Sequence, residues 1–322
     1  REEPMDVLLS PVILFFVLGA LAAAFRSDLA IPEAIAKGMS IYLMAAIGLK
    51  GGVQVAENGL TGGLVVSALL GVALSCLIPL WCYAALRRFG RQDAVNAGAI
   101  AAHYGSVSVV TFAAGSEMLA AAGLAVPGHM VAVLALMETP AIIVGLMLAR
   151  RGLAVAVPQG RGDLLHETLL NGPVVLLTGA FVIGLVAGKQ GVAPLAPFFE
   201  AGFRGVLCLF LLDMGLIAAR RLRETRALTP RLVALGIAMP LVNGAIAIVL
   251  AALLGLDTAS AATLGVLAAS ASYIAVPAAM RLALPQADAG LSLAMSLAVT
   301  FPFNILIGIP LYRMLASLMV PQ

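Results

Sequence analysis

Two stretches decide the reading of this chain: His103-Tyr104-Gly105-Ser106-Val107-Ser108 and Ser270-Ala271-Ser272-Tyr273, the second running on to Pro277. Each is small and polar at its centre and apolar on both flanks. Both read as membrane helices broken in the middle, over 97–114 and 265–284, and they fall at matching places in the two halves of the sequence. Hydrocarbon tolerates unwound backbone only where protein or a water-filled cavity covers it. A pair of interrupted apolar segments, one per half, therefore points to the binding site of a secondary transporter.

The surrounding chain fits a bilayer. Of its 322 residues 62% are hydrophobic and only 11% charged, and mean hydropathy is +1.07. A soluble domain carries about 25% charged residues, and no soluble core hides this much apolar surface. The net charge of +3 gives no case for nucleic acid. Cys76, Cys82 and Cys208 all lie in apolar segments and read as buried thiols, not as a disulfide framework.

At roughly 20 residues per crossing, about ten apolar segments are long enough to span: 7–25, 32–53, 62–86, 92–114, 126–150, 171–189, 197–219, 231–254, 259–284 and 290–318. The first is read as a retained helix, not a cleaved signal peptide. With ten spans, the loops on one side hold Arg26, Arg87, Arg88, Arg91, Arg150, Arg151, Arg161, the arginines of 220–231 and Arg281, and the other side only Arg1, Lys189 and Arg313. The positive-inside rule places the first set in the cytoplasm and both termini outside.

The halves echo one another. Ser10-Pro11-Val12 is matched by Gly172-Pro173-Val174, Ile47-Gly48-Leu49 by Met214-Gly215-Leu216, Ala101-Ala102 by Ala268-Ala269, and Thr139-Pro140-Ala141 by Phe301-Pro302-Phe303. The offsets are 162, 167, 167 and 162 residues. Five spans per half give the halves opposite orientation. The expected fold is an all-α membrane protein of about ten transmembrane helices in a five-plus-five inverted repeat. Residues 1–152 form the first repeat, 153–168 a cytoplasmic linker and 169–322 the second repeat.

Several residues carry candidate chemistry. The N-terminus of a half-helix offers unsatisfied N–H groups and partial positive charge, and two of them meeting in mid-membrane cradle a small anion. Ser106, Ser108, Ser270 and Ser272 add hydroxyls, and Gly105 permits close backbone approach. Free carbonyls at half-helix C-termini suit a sodium ion. Glu138, deep in the fifth span and followed by Thr139-Pro140, costs roughly 2.5–3.5 kcal/mol to insert, which points to an ion-linked role. His103 stands beside the first break as a structural group, a ligand or a proton carrier. Asp213 lies near the cytoplasmic end of the seventh span. Glu33 and Lys37 are placed to pair on one helix face, Lys50 to snorkel outward, and Arg204 too far along its helix to pair with Asp213. His166-Glu167 lacks the second His of a zinc protease, and neither a nucleophile elbow nor a Walker loop is present. These absences argue against an enzyme.

The chain resembles the sodium-dependent bicarbonate transporters best known from cyanobacteria, over nearly its whole length. The resemblance is carried by Ile31-Pro32-Glu33-Ala34-Ile35 with Lys37, by Ile47-Gly48-Leu49 and Gly51-Gly52, by Gly105-Ser106, by Ala268-Ala269-Ser270 with Pro277 and Arg281, and by Glu138 with Pro140. It implies two crossing broken helices in a mobile core beside a scaffold, elevator-like symport of bicarbonate with sodium, a homotrimer, and a bacterial inner-membrane location. The anion site then falls on Tyr104, Gly105, Ser106, Ser270, Ala271 and Ser272. Ser108, Glu138, Tyr273 and Asn304 are the candidates for holding sodium, which is co-transported cargo; no cofactor is expected. The family pattern also has a PII-like cytoplasmic regulator, against which the short linker at 151–168 argues. It has more Ser and an Asp at the second break, where Tyr273 and Ile274 stand here, and Asp at Glu138. The other readings are a transporter of a different small anion, a sodium/proton exchanger using His103 or Glu138, and a membrane sensor or enzyme.

Overall fold

A computed structural model describes residues 10–59, 62–151, 172–225 and 227–320. The linker, and with it the surface expected for a regulator, lies outside the described residues, as do both termini. Among the described residues there are helices and no strand. In chain order they are α1 (Pro11–Ala24), α2 (Glu33–Asn58), α3 (Gly62–Arg88), α4 (Ala94–Gly105), α5 (Val109–Ala121), α6 (His129–Arg150), α7 (Gly172–Val192), α8 (Phe203–Glu224), α9 (Pro230–Leu253), α10 (Thr258–Ala269), α11 (Ala275–Ala283) and α12 (Ala289–Met319). Among the described residues eight segments are long and apolar enough to cross a membrane, α4 and α5 counting together as one. The apolar helices α1 and α10 are shorter. The chain is a multi-pass membrane protein.

Several helix starts have a local cause. Asp93 accepts the Asn96 N–H at 2.9 Å and Asp257 accepts the Ser260 N–H at 2.9 Å, so the two half-helices α4 and α10 begin on the same cap. Thr229 caps α9, with Pro230 as its first residue.

The helices sort into a panel and a bundle. In the panel α1 packs on α8 and α2 on α7. Glycine makes both contacts. A Cβ on Gly48 would lie 2.7 Å from the Leu177 carbonyl oxygen, and one on Gly215 would lie 2.2 Å from that of Phe16. With little hydrophobic drive between helices in lipid, such close backbone approach supplies the packing. In the bundle α3, α4 and α6 pack together, as do α9, α10 and α12, and the two groups meet along α3–α9 and α5–α10.

Prolines inside bundle helices leave carbonyls to be satisfied. Pro240 denies the Gly236 carbonyl its partner four residues on. Thr300 Oγ1 donates to that carbonyl at 2.7 Å, and the Tyr104 hydroxyl donates to Thr300 Oγ1 at 2.6 Å. Helix α12 winds wide, with i→i+5 bonding, over Ala294–Thr300 and again over Asn304–Gly308, a distortion that collects at functional sites.

Candidate substrate site at the two helix breaks

Both helices break where the small polar residues fall, and the two breaks bond to each other. Helix α4 ends at Gly105, and Ser106 turns extended at φ −83° and ψ 175°. Helix α10 ends at Ala269, and Ser270 turns the same way at φ −75° and ψ 163°. The Ser108 N–H donates to Ser270 Oγ at 3.0 Å, and Ser270 Oγ donates to the Leu267 carbonyl at 2.7 Å. The Ser272 N–H donates to the His103 carbonyl at 2.8 Å. His103 Nδ1 lies 2.6 Å from the Ser272 carbonyl. That oxygen only accepts, so Nδ1 carries the proton. The buried His103 thus clamps the second break from two atoms.

A cleft of about 10 Å³, the room of roughly one water, lies where the breaks meet. The first break contributes Ser108 and Val109, the second Ser272 and Tyr273, α6 contributes Glu138, and the panel contributes Met44 from α2. Helices α5 and α11 both begin here. The N–H groups of Val109, Val110 and Ala275 take no acceptor among the described residues. The Tyr273 hydroxyl is buried close to the Ser108 side chain, and among the described residues no partner meets it at full hydrogen-bond geometry. An unmade bond of this kind costs about 1–3 kcal/mol, and a polar ligand removes that cost. The cleft therefore joins two positive helix ends, three hydroxyls and a carboxyl group, donors for an anion beside an acid for a cation.

A model of the Na+-dependent bicarbonate transporter superfamily matches residues 11–317. The chain belongs to that superfamily. No curated protein matches it.

In this bicarbonate-transporter chain the expected site residues divide. Ser108, Glu138, Ser272 and Tyr273 line the cleft. Ser106 and Ser270 stand behind it as helix ends, the Ser106 hydroxyl donating to the Glu138 carbonyl at 3.2 Å. Ala271 is buried in the second break. Tyr104 sends its hydroxyl away to Thr300. Gly105 has no positive φ; a Cβ would lie 2.3 Å from Pro79 Cγ, so the close approach to α3 demands glycine. Asn304 donates to the Ala269 carbonyl at 2.7 Å and accepts from the Tyr312 hydroxyl at 3.1 Å, so it closes the end of α10.

A vestibule of about 780 Å³ lies between panel and bundle, lined by Ala46, Ile47 and Lys50 of α2 and by Phe112 and Glu117 of α5. Met44 and Ile47 sit one turn apart on α2, as do Val109 and Phe112 on α5. The buried side chains of Ile47 and Phe112 therefore stand between the vestibule and the cleft. Two ion pairs cross the vestibule wall, Lys189–Glu57 at 3.3 Å and Arg204–Glu117 at 2.5 Å. The second ties α8 of the panel to α5 of the bundle. No ion pair joins Glu33 to Lys37 among the described residues. The Arg204–Glu117 pair and the relay from Tyr104 through Thr300 to the Gly236 carbonyl join residues far apart in the chain. The Thr before a Pro-containing echo was the one local hint of the relay.

Proposed function

We propose that the chain imports bicarbonate with sodium across a bacterial inner membrane. The observation that carries this is the cleft: two half-helix N-termini with open N–H groups, and Glu138 facing the same small space. The anion is held by the N–H groups at Val109 and Ala275 and the hydroxyls of Ser272 and Tyr273, on a floor formed by Tyr104, Gly105, Ser106, Ser270 and Ala271 through their backbone. Sodium is held by Glu138 with Ser108 and Tyr273, and Asn304 keeps the end of α10 in place for it. One sodium moving with one bicarbonate carries no net charge, which suits a site with a single fixed charge.

The same reading makes residues 1–152 and 169–322 inverted repeats and the bundle a moving elevator core against the panel, in a homotrimer. The matched Asp93 and Asp257 caps, the matched glycine contacts of Gly48 and Gly215, and the separation of panel from bundle support it. Arginine bias supports a cytoplasmic side at Arg87 and Arg220, with both termini and the vestibule outside. The cleft is too small for bicarbonate as it stands, so loading requires Ile47 and Phe112 to part.

Uptake of labelled bicarbonate into proteoliposomes, with and without an inward sodium gradient, tests the proposal. Sodium-dependent accumulation that survives a protonophore is the expected result. The Glu138 carboxyl in the cleft also favours a second reading, sodium/proton exchange, and sodium-driven proton movement without bicarbonate uptake is the outcome that selects it.

A further inference from the structure

Asp213 is a buried carboxylate that the cleft does not use. It lies on α8 with 4% of its surface exposed, and its Oδ2 has no hydrogen-bond partner among the described residues. The cation acting on it is Arg220, whose guanidinium is already bonded to the Leu29 carbonyl at 2.8 Å. Helix α8 packs on α1 within the panel and on the Ala294–Thr300 stretch of α12 in the bundle, so Asp213 lies on a helix that borders both bodies. Ionisable groups inside membrane proteins ordinarily pair with one another or line a water-filled path, and among the described residues Asp213 makes no ion pair.

Its counterpart in the first half is Ala46. The match of Ile47-Gly48-Leu49 to Met214-Gly215-Leu216 sets that register. The contacts hold it: Gly48 meets backbone of α7 and Gly215 meets backbone of α1, each helix from the opposite half. Ala46 lines the vestibule between panel and bundle. When inverted repeats alternate, each half takes up the arrangement of the other, and the cavity on one face of the membrane is replaced by its equivalent on the opposite face.

We infer that Asp213 lines a second vestibule, which opens on the opposite face of the membrane as the vestibule at Ala46 closes. The inference rests on the inverted repeat and alternating access proposed above. It accounts for the bare Oδ2 atom: water reaches it in the other state. It also makes the two vestibules unlike in charge. The described one carries Lys50 one turn from Ala46, and the residue matching Lys50 is the apolar Ile217. The second vestibule therefore presents a carboxylate and no counterpart of that lysine, which favours a departing sodium ion and discourages return of the anion.

Cysteine labelling tests this. Asp213→Cys and, as the marker of the described vestibule, Lys50→Cys are each treated with a membrane-impermeant maleimide from either side of oriented vesicles. Labelling is read as the excess over the parent chain. Each is measured in three conditions: without ligands, with sodium and bicarbonate together, and with Arg204→Ala added to free α5 from α8. The expected result is Lys50→Cys labelling from one side and Asp213→Cys labelling from the other, the latter rising several-fold with the ligands and with Arg204→Ala. Labelling that rises with Arg204→Ala but not with sodium and bicarbonate leaves the second vestibule standing and removes the proposed cargo. Asp213→Cys that is folded yet unlabelled in every condition, or labelled from the Lys50 side, overturns the inference. Should Asp213→Cys not fold, Ile217→Cys is read by the same criterion.

Discussion

The two breaks are made of like parts and held unlike. In the first, only Ser106, Val107 and Ser108 leave the helix, and Ser108 caps the next half-helix by accepting the Thr111 N–H at 3.1 Å. In the second, the chain is unwound from Ser270 to Ile274. Ile274 stands at the cap position with no side-chain acceptor, and Ser272 Oγ reaches the Val276 N–H only at 3.5 Å. The first break thus caps its own next half-helix, while the second lacks such a cap and is held by His103. A segment held mainly from outside, with open donors and a bare Tyr273 hydroxyl, is the part that a ligand is able to order.

The largest expected effect separates the breaks at their approaching ends. Gly105→Val drives a branched side chain into Pro79 and Ala141, and overpacking of this kind costs about 3 kcal/mol at the upper end of its usual range. The variant should lose folded yield and thermal stability. Ala269 is likewise the last residue of its half-helix, α10, and already carries a Cβ; Ala269→Gly should cost only about 0.5–1 kcal/mol. Equal thermal shifts for the two variants break the comparison at its root.

Next comes the clamp. His103→Ala leaves the buried Ser272 carbonyl without its ring donor, at a cost of about 1–3 kcal/mol. Since the support is external, the loss should be local: hydrogen exchange rises at 270–276 and at Ser108, whose N–H bonds to Ser270, and stays unchanged from Thr111 onward in α5. Uniform loosening of both breaks contradicts the asymmetry.

How much of this was legible in the sequence depends on how local the cause is. The breaks were readable because small polar residues interrupt an apolar run over a few positions. The close contacts at Gly48 and Gly215 leave a trace in the letters, because only glycine lets the backbones touch there. His103 was ambiguous because its partner lies 169 residues away, and nothing near it in the chain says whether its ring meets a ligand or a carbonyl. Tyr104 comes to the site through the resemblance, beside Gly105 and Ser106. A helix turns about 100° per residue, so neighbours point apart, and its hydroxyl goes to Thr300. Glu138 stood out for its cost in hydrocarbon, whereas the Arg204–Glu117 pair joins two ordinary residues from different helices.

The serines give a smaller and more discriminating effect. Ser108→Ala removes a helix cap, worth about 1 kcal/mol, and should lower the thermal midpoint. Ser272→Ala removes only the long bond to Val276 and should leave the midpoint nearly unchanged. For uptake the order should reverse, with Ser272→Ala raising the apparent KM for bicarbonate more than Ser108→Ala does. Thermal midpoints and KM that rank the two variants alike deny the second break its special part in binding.

Tyr273→Phe should have the least effect on the fold and the clearest meaning. The hydroxyl is buried and no described residue meets it at full hydrogen-bond geometry, so replacing it with hydrogen removes a desolvated polar group and fills the same shape. Its ring packs edge-on against Phe301 at a centroid distance of 5.5 Å, and phenylalanine keeps that contact. The ligand-free midpoint should therefore hold or rise by up to about 1 kcal/mol equivalent, since nothing favourable is lost. The increase in midpoint that sodium and bicarbonate confer on the parent chain should shrink, because the hydroxyl makes its bond only when the cleft is filled. A ligand-induced shift equal to that of the parent chain means that Tyr273 closes the cleft without touching the cargo, and the donors must then be sought in the backbone at Val109 and Ala275 alone.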